Sequence, residues 1–101
     1  MDKLQRDELV TELRTLRPVL ERAGVLHMAL FGSRARQDHR GDSDVDLVVD
    51  IDDARKFSML DLVGVGHTIG DHLRLEPNIL LRRSLQPDFA AEIGRDLIEV
   101  F

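Results

Sequence analysis

The sequence predicts an α+β domain. Three observations carry this. Apolar residues recur at helical spacing near both ends of the chain, three short apolar runs of strand length lie between them, and turn residues separate the segments. The predicted order is helix, strand, short helix, strand, helix, strand, helix. Repeats, low-complexity tracts and linkers are absent from the 101 residues. That length fits one domain spanning 1–101 and leaves no room for a second.

The elements follow from local pattern. Over residues 4–22, Leu9, Leu13, Leu16 and Leu20 recur every three or four positions, with Val10 widening the stripe. Pro18 is expected to kink this helix or start a new turn, and Gly24 to stop it. "VLHMALF" at 25–31 reads as a buried strand. Ser33 is a good N-cap, so 33–37 is expected to form one or two helical turns. "DHRGDS" reads as loop. In "DVDLVVDI" at 44–51, Val45, Leu47, Val49 and Ile51 share one face, and Asp44, Asp46, Val48 and Asp50 the other. Residues 57–73 read as a helix with Met59, Leu60, Val63 and Ile69 inward. Its three glycines (Gly64, Gly66, Gly70) weaken it but permit close packing. "RLEPNILL" at 74–81 suggests a strand, with Pro77 placing it at an edge or delaying its start. Residues 87–101 read as a closing helix with Phe89, Ile93, Leu97 and Val100 on one face.

Composition excludes several classes. The formal net charge of -5 argues against a free-standing nucleic-acid binder. With no cysteine there can be no disulfide, thiolate metal site or cysteine nucleophile. The charged N-terminus is not a signal peptide, and no apolar run approaches membrane-spanning length, so a cytoplasmic protein without membrane contact is expected.

The chemistry concentrates in "LFGSRARQDHRGDSDVDLVVDI", Leu30 to Ile51. Two strand residues one position apart point the same way, roughly 6.6 Å apart along the chain. Asp44 and Asp46 thus present two carboxylates to one spot, a repulsive arrangement unless a cation sits between them. Mg²⁺ suits it, since that ion takes oxygen ligands and usually one or two protein carboxylates. Gly32 lets backbone approach a ligand closely, and Ser33 at a helix start favours a phosphate. Arg34 or Arg36 can neutralise further phosphate charge. A lone Asp-x-Asp or Gly-Ser is a weak signal. An apolar strand, Gly-Ser, ten residues, then Asp-x-Asp inside a second apolar strand is selective, and it is the equipment for nucleotidyl or phosphoryl transfer. His27, His67 and His72 read as packing or surface residues and His39 as a loop residue, because no pair has metal-ligand spacing.

"GSRAR" followed by "SDVDL" resembles the minimal nucleotidyltransferases of the DNA polymerase β superfamily. The likeness runs over nearly the whole chain, including "SMLDL" at 58–62 and the C-terminal "SLQPDFAAEIGRDLIEVF". It implies a small mixed sheet flanked by helices, ATP as substrate and Mg²⁺ as cofactor. Two departures stand out. Gln37 replaces a frequent glycine. The family's third carboxylate, which helps hold one metal and can serve as base, aligns with Asn78, with Glu76 two residues earlier. Glu76 is the expected third member of the set Asp44, Asp46, Glu76, and Gly32, Ser33, Arg34 and Arg36 are the expected nucleotide contacts.

The resemblance further implies AMP transfer to a hydroxyl, with a helical HEPN-type protein as partner and this chain as its antitoxin. An acidic chain suits a basic partner. A contact-only antitoxin, or one of weak activity, is the competing reading, favoured by Asn78. Transfer to a small hydroxylated molecule such as an aminoglycoside is disfavoured by the absence of a second domain, unless the chain forms a homo-oligomer.

Overall fold

The computed structural model describes residues 5–40 and 43–101. Leu4, the expected start of the first helix, and Gly41 and Asp42 of the expected loop lie outside them. Helices α1 (Arg6–Thr15) and α2 (Arg17–Ala23) precede strand β1 (Val25–Phe31) and the single-turn helix α3 (Ser33–Arg36). Strand β2 (Val45–Ile51), helix α4 (Met59–Leu73) and strand β3 (Pro77–Leu81) follow. A 3₁₀ turn (Arg82–Ser84), helix α5 (Pro87–Gly94) and the short strand β4 (Ile98–Glu99) close the chain.

The expected first helix is two helices. The break falls at Leu16, and Pro18 occupies the first turn of α2, where its missing N–H leaves no helical bond unmade. Helix α2 ends at Gly24, as expected. The four strands form one mixed sheet in the order β3-β2-β1-β4. Strands β1 and β2 are antiparallel, while β2 and β3 are parallel and joined through α4. Strand β3 lies at the edge and begins at Pro77, so both expectations for that proline hold.

The alternation in β2 sorts the two sides of the sheet. Val45, Leu47, Val49 and Ile51 pack with Leu9, Leu13, Leu20, Val65, Ile69 and Leu73 in the main core under α1, α2 and α4. On the other side Val48 joins Ala29, Phe31 and Ile93 in a smaller cluster under α5. Asp46 and Asp50 share that second, more open side.

Two expectations for apolar residues fail. In α4 the buried residues are Val65, Ile69 and Leu73, spaced by four, whereas Met59, Leu60 and Val63 are 72%, 82% and 49% exposed. The helix is apolar on more than one side, so its orientation is set by contact with β3. There a Cβ on Gly70 would stand 3.3 Å from Pro77 Cδ and 3.4 Å from the Leu75 carbonyl, so the glycine allows the close approach. Ser58 caps the helix by accepting from the Asp61 N–H at 3.2 Å, while Asp61 accepts from the Ser58 N–H. The closing helix also stops early. After Gly94 the chain turns back as β4, pairing Ala29 with Glu99 and Leu30 with Ile98. Leu97 and Val100 therefore reach opposite sides of the sheet. The open edge of β1 offers ladder bonds that helical periodicity does not reveal.

Candidate active site

The register brings the sequence-predicted residues to one end of the sheet. Phe31, the last residue of β1, faces Asp46 across the antiparallel ladder, and Asp46 faces Asn78 across the parallel one. Gly32 follows β1 directly. It has φ 78°, a left-handed conformation that favours glycine. A Cβ at this position would overlap Asp46 Oδ2 and stand 3.1 Å from its Cγ. The Gly-Ser and Asp-x-Asp halves of the pattern are thus in contact, and glycine is required on two independent grounds. Gly32→Ala is expected to lower transfer activity by about 100-fold or more and stability by about 1–3 kcal/mol, measured by initial rate and thermal melting.

Helix α3 begins at Ser33, with Gly32 as its N-cap and without a side-chain cap bond, so the expected cap at Ser33 moves one residue earlier. The reason is backbone geometry: Gly32 is the non-helical residue whose carbonyl accepts from the Arg36 N–H. A four-residue helix carries little dipole, so an anion here would depend on the Gly32-Ser33 backbone and the Ser33 hydroxyl.

The two arginines of "SRAR" have different placements. Arg34 is 1% exposed, the largest fully buried side chain described. Its Nε donates to the Ser43 carbonyl at 3.1 Å, tying α3 to the segment that leads into Asp44. Burial removes it from the surface that a phosphate would reach. Arg36 is exposed at the rim, donating to Asp38 at 3.0 Å and to Asp96 at 3.1 Å. Its bonds to Asp38 and then to Asp96 hold its pKa above the ordinary arginine value, so it stays cationic.

Asp44 is exposed immediately before β2, and Asp46 is half-buried within it. Asn78 Nδ2 donates to Asp46 Oδ1 at 3.1 Å. Glu76, expected beside the aspartates, is exposed and precedes β3; its carbonyl accepts from the Val45 N–H at 2.9 Å. Among the described residues no three His, Cys, Asp or Glu side chains converge to hold a metal. The parallel register explains this, since it sets Asn78 against Asp46 and leaves Glu76 a step outside the ladder. Asp50 is held by Arg82, whose Nε donates at 2.9 Å. The Asp46 carboxylate beside Gly32, with Asp44 two residues earlier, offers oxygen donors of the kind a hard divalent cation takes, with phosphates and water able to complete its shell.

Of the histidines read as packing or surface residues, His27 and His67 are exposed, and His72 lies 2.8 Å from Glu12. Among the described residues no helix is long and apolar enough to cross a membrane.

The chain is similar to known proteins over most of its length. MJ0435 of Methanocaldococcus jannaschii, which bears a provisional name as a protein adenylyltransferase, is 30% identical over 87 residues, 86% of this chain and 91% of its own length. The protein adenylyltransferase MntA of Thermococcus cleftensis is 30% identical over 80 residues, 79% of each chain. A solved structure that bears a provisional name as a minimal nucleotidyltransferase superposes with a TM-score of 0.80 at 26% identity, covering 97% of this chain and 98% of its own. A chain from the complex of a tri-AMPylated Shewanella oneidensis HEPN toxin with an MNT antitoxin gives a TM-score of 0.67, covering 92% and 71%; at 13% identity this shows the fold alone. The Gly-Ser cradle and the aspartate pair lie inside a match to the nucleotidyltransferase domain that runs over residues 7–99, and the chain belongs to that family of nucleotidyl-transferring enzymes.

Proposed function

We propose that the chain is a cytoplasmic, Mg²⁺-dependent adenylyltransferase that moves AMP from ATP to a hydroxyl on a helical HEPN-type partner, and acts as that partner's antitoxin. The observation that carries the reading is the contact of Gly32 with Asp46, which brings the Gly-Ser turn against the Asp-x-Asp strand. The adenylyltransferase names of two relatives at 30% identity support AMP as the group transferred. The HEPN complex that shares the fold supports the class of partner.

In this reading Asp44 and Asp46 hold the magnesium, which supplies positive charge to the phosphates when bound. The Gly32-Ser33 backbone and the Ser33 hydroxyl orient the triphosphate. The acceptor oxygen bonds to the α-phosphorus, the bond to the β-phosphate oxygen breaks, pyrophosphate leaves, and the hydroxyl proton passes to a base. Arg36 stands at the rim as a cation already shared by two carboxylates. Incubating the chain and its partner with Mg²⁺ and α-labelled ATP is expected to label the partner. Absence of label, with neutralisation surviving a double Asp44→Ala, Asp46→Ala change, would overturn the enzymatic reading in favour of contact alone.

The Asn78–Asp46 bond favours a slow enzyme as the second reading. An amide cannot take the acceptor's proton as a carboxylate does. If Asn78 occupies the third position, Asn78→Asp should raise the rate about tenfold or more, while Glu76→Gln leaves it within about twofold. A large loss in Glu76→Gln would instead return the third carboxylate to Glu76.

A further inference from the structure

A cleft of about 200 Å³ opens beside Gly32, on the side of the sheet that carries Asp46. It lies between the end of β1, α3 and α5. Phe31 and Ile93, each 6% exposed, are its apolar residues from the small core. Phe89 also lines it and remains 40% exposed, although the chain has only four aromatic side chains to cover its core. Its polar lining is Arg36, Glu92 and Asp96. Arg36 is occupied by Asp38 and Asp96, whereas the Glu92 carboxylate makes no hydrogen bond or ion pair among the described residues.

These features select the ligand. Two carboxylates against one already paired guanidinium make the polar lining acidic, so the cleft disfavours phosphate. An exposed ring beside apolar walls suits a flat, neutral ring, because every base has a face that stacks on an aromatic. A free carboxylate accepts from an exocyclic amine and repels a carbonyl. The volume falls below the usual range for a drug-sized ligand and suits one ring system. Position supports the same choice: the cleft shares Gly32 with the phosphate cradle, whereas Asn78 and the edge strand β3 lie across Asp46 on the opposite side.

We propose that this cleft is the nucleobase subsite, with Phe89 stacking on the base and Glu92 accepting a hydrogen bond from the exocyclic amine of adenine. The proposal rests on the nucleotide reading given above and adds to it the residues that choose the base. Phe89 and Glu92 are then specificity-determining residues on α5, outside the Gly-Ser and Asp-x-Asp pattern.

The test is calorimetric titration of the full chain with ATP, inosine triphosphate and inorganic triphosphate, all with Mg²⁺. ATP is expected to bind about tenfold or more tighter than triphosphate. Phe89→Ala removes most of that margin without changing triphosphate affinity, and Phe89→Tyr keeps it. Glu92→Gln narrows the preference for ATP over inosine triphosphate, whose base carries a carbonyl in place of the amine. Equal affinity for ATP and triphosphate in the wild type overturns the subsite while leaving the nucleotide reading intact, provided Asp46→Asn weakens both. Phe89→Ala that weakens ATP and triphosphate alike, or that raises KM for the acceptor with ATP affinity unchanged, also overturns it, the latter by giving the cleft to the acceptor. Failure of all three ligands to bind overturns both readings.

Discussion

Asp46→Asn is expected to lower nucleotidyl transfer by on the order of 1,000-fold or more while the protein stays folded. Asp46 is the hub of the site. It meets Gly32 on one side and accepts from Asn78 on the other. Its carboxylate is one of the two that face the proposed cation, and an amide of the same shape offers one weaker oxygen and no charge. Stability should change by about 1 kcal/mol or less, because the residue is half-buried on the open side of the sheet and loses at most one exposed hydrogen bond. Initial rates with α-labelled ATP across a Mg²⁺ series, read beside a thermal melt, check both halves. Retention of a tenth of the wild-type rate would remove Asp46 from the metal site.

Arg34→Ala is expected to give the largest loss of stability, about 2–4 kcal/mol. The side chain is 1% exposed, and its Nε donates to the Ser43 carbonyl. Truncation opens a cavity at the base of α3 and unpairs the carbonyl that precedes Asp44. The denaturant midpoint measures the loss. Arg34→Lys should recover only part of it, since a single ammonium cannot reproduce the planar fork. If Arg34 were instead a phosphate ligand, both changes would weaken ATP binding and leave the midpoint near wild type.

Much of this site is legible in the sequence because its signals are local. The alternation of Val45, Leu47, Val49 and Ile51 places Asp46 on the opposite face of β2 without knowledge of any neighbour. The Gly-Ser ten residues earlier marks the end of β1. The roles of Arg34 and Arg36 are less legible, since both sit in the same short helical stretch and look equally available to a phosphate. Only the packing of α3 against the sheet buries one and leaves the other at the rim. The facing of α4 is hidden for a related reason. Met59, Leu60 and Val63 are as apolar as Val65, Ile69 and Leu73, so the pattern does not select a single stripe.

The third acidic position shows the same division. Sequence spacing puts Glu76 and Asn78 on one strand face and cannot decide between them, because parallel register depends on how α4 returns the chain to the sheet. That return sets Asn78 opposite Asp46. Similarly, Ile98 and Glu99 follow a helix without strong strand character of their own, and they pair because β1 has an open edge.

By itself, the sequence determined the α+β class, three of the four strands, the Gly-Ser and Asp-x-Asp pattern and the family it signals. These depend on period, turn chemistry and spacing within a few residues. The tertiary structure decided which arginine is buried, which side of α4 is covered, that Asn78 meets Asp46, and that Phe89 and Glu92 from α5 stand beside Gly32. Each of these depends on contacts between residues far apart in the chain, whose geometry the order of residues does not display.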